Sequence, residues 1–131
     1  MPATATGRIT RIGIVTVHVR DQDAALEFYT KVLGFDKLMD ERFGEGFRWL
    51  TVRPRGAETQ IVLAANFAAD SGAPLGGSTG MVLYTDDIHA LHQELAAKGV
   101  QFTEVPTAQP WGMIQAQFRD LDGNNFVLVQ Q

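Results

Sequence analysis

The chain of 131 residues contains no cysteine. Disulfides, thiolate metal sites and a cysteine nucleophile are therefore excluded, and a cytoplasmic location is the expectation. There is no basic excess either. Eleven lysines and arginines stand against fifteen aspartates and glutamates, for a net charge of −4. A nucleic-acid partner would need a basic face, so none is expected. No run approaches the roughly 18 apolar residues of a membrane span, so no membrane partner is expected. The opening MPATATGRIT lacks the apolar stretch of a secretory leader. No phosphate loop, nucleophile elbow or dinucleotide fingerprint occurs, since Gly76-Gly77 is not followed by Lys-Ser/Thr.

What is present is enough for one domain. Hydrophobic residues make up 45% of the chain, and at this length folding buries roughly two-thirds of the unfolded surface. Residues 1–8 are small and polar and are expected to fray. From Ile12 to Val19 the residues alternate, with Ile12, Ile14, Thr16 and His18 on one face and Val15, Val17 and Val19 on the other. Asp21 is placed to cap a helix over Gln22–Leu33, whose buried face is Ala25, Leu26, Tyr29, Val32 and Leu33. Gly34 closes it. Strands are predicted at Phe35–Arg42, Phe47–Val52 and Thr59–Ala64, separated by turns at Gly44–Gly46 and Pro54–Ala57.

The pattern then repeats. Met81–Thr85 reads as a strand, and Asp86 or Asp87 caps a helix with Ile88, Leu91 and Leu95 on its inner face. Gly99 ends it. Asp21 to Gly34 and Asp86 to Gly99 both span 13 residues. Strands recur at Val100–Val105, Met113–Phe118 and Asn125–Gln130, with a turn at Asp122-Gly123-Asn124. The fold class is therefore α+β: two βαβββ modules, residues 9–65 and 80–131, joined by a glycine-rich connector over 66–79. Each helix covers one face of its sheet. The opposite faces are left for a concave ligand cleft.

Two stretches carry a family resemblance. One is Val19-Arg20-Asp21 with Ala25-Leu26-Glu27-Phe28-Tyr29-Thr30-Lys31-Val32-Leu33-Gly34-Phe35. The other is Phe118-Arg119-Asp120-Leu121-Asp122-Gly123-Asn124. Over Ile12–Val129 the chain resembles the vicinal oxygen chelate superfamily of glyoxalases, bleomycin resistance proteins and dioxygenases. Gln109-Pro110-Trp111-Gly112 looks like the stretch before the seventh strand of bleomycin resistance proteins, where the tryptophan walls the drug cleft. The resemblance implies a metal held by one side chain from each of four strands. Those positions fall here on Ile14, Gln60, Gly80 (or Met81) and Val127. Only Gln60 can coordinate, whereas a mononuclear enzyme site takes about three protein ligands. No metal and no cofactor are expected.

The cleft candidates are His18, Trp49, Gln60, Val62, Tyr84, Trp111 and Met113. His18 is also the candidate general base. His89 and His92 read as helix-surface residues, and Asp120 and Asp122 as turn chemistry. An aromatic cleft with few polar groups suits a flat ligand. The expected function is capture of a hydrophobic or aromatic small molecule, such as an antibiotic, by a homodimer. The alternative is a glyoxalase-like lyase or isomerase, or a dioxygenase, built around His18 and Gln60 with Glu58 or Glu104.

Overall fold

The computed structural model describes residues 6–65 and 75–131. The expected fraying end and connector fall in part on residues 1–5 and 66–74, outside that description. The first module runs β1 (Ile14–His18), α1 (Gln22–Glu27), β2 (Asp36–Arg42), β3 (Arg48–Arg53) and β4 (Gln60–Ala64). The second runs β5 (Gly77–Thr85), α2 (Ile88–Ala97), β6 (Gln101–Ala108), β7 (Ile114–Arg119) and β8 (Asn124–Gln130). Each module forms its own four-stranded sheet, ordered β1-β4-β3-β2 and β5-β8-β7-β6. In both, the first strand pairs parallel with the last and the other neighbours are antiparallel. The βαβββ repeat read from the sequence is the fold.

Local chemistry sets the helix boundaries. The Asp21 side chain accepts from the Ala24 amide, and Asp87 does the same for Ala90 at α2. These bonds satisfy amides that no helical carbonyl reaches. Gly34 and Gly99 follow the helices at φ 80° and 89°, where a side chain would be strained. The first helix departs from expectation in its second half. Beyond Glu27 it widens into a π-helical turn over Phe28–Val32, in which Leu33 N–H donates to the Phe28 carbonyl. The Thr30 hydroxyl donates back to the Leu26 carbonyl. Strand β5 begins at Gly77, four residues before the predicted start, so part of the expected connector is strand.

One contiguous core serves both modules. It takes Val17, Val19, Leu50, Val52, Ile61 and Leu63 from the first sheet and Ala116, Phe118, Phe126 and Leu128 from the second. Between them lie Ala25, Phe28 and Tyr29 of the first helix and Ile88 and Leu95 of α2. All of these strand residues share the parity that faces the helices. Val62, Ala64 and Val129, of the opposite parity, are buried outside that core. Hydrogen bonds join the modules at four points, one of them from Lys98 Nζ to the Val32 carbonyl at 3.5 Å. Tyr29 Oη donates to Asp120, Asn124 Nδ2 to the His18 carbonyl, and Arg20 N–H to Asp122. No helix among the described residues is long and apolar enough to cross a membrane.

Candidate functional site

Strand parity organises the helix-free face of the first sheet into three rows. Ile14 pairs with Gln60, Thr16 with Val62 and His18 with Ala64. The β3–β4 register sets Thr51 opposite Val62, which carries Arg53 opposite Gln60 and Trp49 opposite Ala64. Strand β2 adds Asp36 beside Arg53, Met39 beside Thr51 and Glu41 beside Trp49. The rows are thus Ile14–Gln60–Arg53–Asp36, Thr16–Val62–Thr51–Met39 and His18–Ala64–Trp49–Glu41. The middle row is enclosed at its centre, with Thr51 fully buried and Val62 nearly so.

This face holds an unusual set of polar atoms. Among the described residues, three buried side-chain polar atoms have no hydrogen-bond partner: His18 Nδ1, Arg53 Nε and Gln60 Oε1. All three belong to these rows. Native proteins rarely leave buried polar groups unpaired, because each costs about 1–3 kcal/mol. Here three such atoms lie on one sheet face.

The helix-free face of the second sheet is split lengthwise. Its β5–β8 half is polar at Ser78 and Asn125 and apolar beyond them, with Val82 beside Val127 and Tyr84 beside Val129. Its β7–β6 half is polar, with Gln117 next to Glu104 and Gln115 next to Thr107. Glu104 accepts from Gln115 Nε2 at 3.0 Å, Gln117 Nε2 at 3.3 Å and Gln109 Nε2 at 3.4 Å. Gln117 Oε1 accepts in turn from Asn125 Nδ2, and Asn125 Oδ1 from the Thr103 hydroxyl. A cavity of about 550 Å³ opens at this end, lined by Ser78, Thr103, Gln117, Arg119 and Asn125 among others. The strand pattern Ile114-Gln115-Ala116-Gln117-Phe118 carries the signal for this polar column: strict alternation puts both amides on the face opposite the core.

The seven cleft candidates divide between the two faces. His18, Trp49, Gln60 and Val62 lie together on the helix-free face of the first sheet, and Tyr84 lies on that of the second. Trp111 and Met113 lie in the β6–β7 turn, where Gln109 N–H donates to the Met113 carbonyl and Trp111 is 66% exposed. His18 and Gln60 occupy opposite rows, four residues apart along β1, or about 13 Å. That span is far beyond joint coordination of one ion. Glu58 is exposed in the β3–β4 turn, and Glu104 is engaged by its three amides. His92 meets Phe102 edge-on at 4.5 Å, and His89 is solvated. Asp120 Oδ1 accepts from the Asp122 and Asn124 amides, as the turn reading of this segment anticipates.

A metal does not fit the donor set at the four strand positions. Ile14 and Gln60 are neighbours on the first sheet, and Gly80 and Val127 lie on β5 and β8 of the second. One amide oxygen is the sum of their ligating capacity. Among the described residues, no three His, Asp or Glu side chains are grouped to hold an ion.

Comparison with known proteins gives the same architecture. A family model described as Glyoxalase/Bleomycin resistance protein/Dioxygenase superfamily matches residues 11–128. The structure of a member of that superfamily from Sphaerobacter thermophilus DSM 20745 superposes with a TM-score of 0.89 at 40% identity, covering 94% of this chain and 98% of that one. TnmS3, an antibiotic binding protein from Streptomyces sp. CB03234, superposes with a TM-score of 0.83 at 38% identity, covering 95% and 98%. YetH of Bacillus subtilis (strain 168), an uncharacterized protein, is 36% identical over 122 residues, covering 93% of this chain and 99% of that protein.

Proposed function

The chain belongs to the Glyoxalase/Bleomycin resistance protein/Dioxygenase superfamily, and from that premise we propose that it binds a hydrophobic or aromatic small molecule without a metal ion, as an antibiotic-sequestering protein does. The observation that carries this reading is the helix-free face of the first sheet. It combines Trp49, Val62 and Met39 with three buried polar atoms that lack partners. Flat apolar area with a few directional polar groups is the usual composition of a small-molecule site. The likeness to an antibiotic binding protein at 38% identity supports the same reading.

The binder acts as a homodimer. The shared core occupies the helix-facing sides of both sheets, so the two helix-free faces do not close over each other through that core. Exposed Val82 and Tyr84 of one copy supply apolar surface to complete the Trp49 face of the other. Sedimentation at micromolar concentration is expected to give a species of twice the 14.4 kDa chain mass. A 14 kDa species alone contradicts the shared site.

Single-tryptophan variants test binding directly, since the chain has only Trp49 and Trp111. In Trp111→Phe, polycyclic aromatic antibiotics are expected to quench Trp49 saturably, with one ligand per site. Absence of quenching and of calorimetric heat across polycyclic and bleomycin-type compounds, with no protection of cells expressing the protein, overturns the reading.

A further inference from the structure

We infer that Arg53 and Gln60 form a subsite for an acidic group on the ligand: a carboxylate on an aromatic ring, with a ring N–H or hydroxyl beside it. This rests on the small-molecule reading above and names the ligand class. Arg53 lies on the helix-free face, next to Gln60 in the cross-strand row. One guanidinium nitrogen, Nη1, donates to the Ala57 carbonyl at 3.0 Å and steadies the Pro54–Ala57 turn. Its Nε–H is buried and donates to nothing. No carboxylate among the described residues lies within ion-pairing distance of Arg53. Asp36, its cross-strand neighbour on β2, pairs instead with Arg55 at 3.6 Å.

A guanidinium cannot lose its proton in a protein, so it cannot relieve this position by neutralising. A partly buried cation without a close counter-charge is costly, and an anionic ligand group would supply that charge. An anionic oxygen meets the requirement with a charge-assisted hydrogen bond. Gln60 Oε1, also buried and unpartnered, needs the opposite: a donor. A donor edge beside an acceptor edge complements a ligand whose carboxylate neighbours an N–H or O–H. Turn support alone accounts for Nη1 but leaves Nε and Gln60 unexplained.

Indole-2-carboxylate presents a ring N–H next to a carboxylate. Indole-2-carboxamide removes the charge, and 2-naphthoate removes the N–H. By calorimetry or ligand-observed NMR, the wild-type protein is expected to bind indole-2-carboxylate about 10-fold or more tighter than the carboxamide, the scale of one charge-assisted bond. Arg53→Gln is expected to abolish that preference, with the acid losing more affinity than the amide. Gln60→Leu weakens indole-2-carboxylate but not 2-naphthoate. Because Arg53→Gln also loses a turn contact, its melting curve is compared with that of Arg53→Lys. The wild-type acid-against-amide comparison needs no variant at all. Equal affinity for acid and amide, or no indole-2-carboxylate binding while polycyclic aromatics bind, overturns the subsite and leaves the small-molecule reading standing. No binding of either group of compounds removes both.

Discussion

The Tyr29 hydroxyl donates to Asp120 Oδ2 at 2.5 Å, across 91 residues of sequence, and ties the helix of one module to the last turn of the other. The same carboxylate accepts from Asn124 Nδ2, whose second contact is the carbonyl of His18. Burial, with the neighbouring Asp120 charge, pushes the Tyr29 phenol far above its ordinary range, so it remains a donor. Its ring also meets Phe126 edge-on and Phe35 at a tilt. Tyr29→Phe keeps the packing and leaves the carboxylate short of one donor. The expected loss is about 2 kcal/mol in urea denaturation, as for a hydrogen bond to a charged group. Combining it with Asn124→Ala is expected to be non-additive, because both side chains serve one carboxylate.

Acid sensitivity is expected from Asp40. Its carboxylate receives Arg48 Nε at 2.7 Å and Arg48 Nη2 at 2.8 Å, which hold it below the usual carboxylate range. A depressed carboxylate stabilises the fold fully above its unfolded pKa of about 3.9 and loses that contribution as pH falls through the folded value. Asp40→Asn is therefore expected to melt lower at pH 7. The gap narrows as melts are repeated towards pH 2. A gap that stays constant over the whole range refutes the assignment.

Asp122 has the opposite sign. Desolvation raises its carboxyl above the ordinary value, although the Arg20 amide donates to it. Ionising a raised carboxyl costs more in the folded chain than in the unfolded one. Its contribution to stability is least favourable above the folded pKa and improves as pH falls through that value. Asp122→Asn keeps an acceptor for Arg20 and removes the charge. It is expected to melt at or above the wild type at pH 7, with the advantage vanishing in acid. A lower melting temperature at neutral pH refutes this.

Chelation is expected to change nothing. Dialysis against a chelator should leave the melting temperature and the quenching of Trp49 by aromatic ligands as they were. A drop in either, restored by one equivalent of zinc, nickel, manganese or iron(II), overturns the donor-set argument at Ile14, Gln60, Gly80 and Val127.

Much of this architecture was legible in the sequence because its determinants are local. Asp21 and Asp87 cap helices through amides three residues away, and Gly34 and Gly99 stop them by backbone freedom. The alternation of Ile14, Thr16 and His18 against Val15 and Val17 set the two faces of β1 before any partner was known. The π-helical turn at Phe28–Val32 was not legible, because apolar spacing does not distinguish a fifth-residue hydrogen bond from a fourth. Nor was Arg53, which looks like an ordinary turn-flanking cation until the β3–β4 register sets it beside Gln60. The Glu104 amide cluster needed two strand registers at once, and pairing across strands is a property of the folded chain.

Among the described residues every ladder bond stays inside its own half: β1 is held by β4 and β5 by β8, and no described strand pairs across the module boundary. Each sheet can thus close over roughly fifty residues of chain without waiting for the other, a short loop-closure problem by the standards of β-structure. Assembly then reduces to the meeting of two preformed halves through buried side chains and four polar contacts. Such halves need not come from the same polypeptide. A chain severed between Ala65 and Leu75 is in principle two cooperating fragments, and what reunites them is the fit of Tyr29 into the second half.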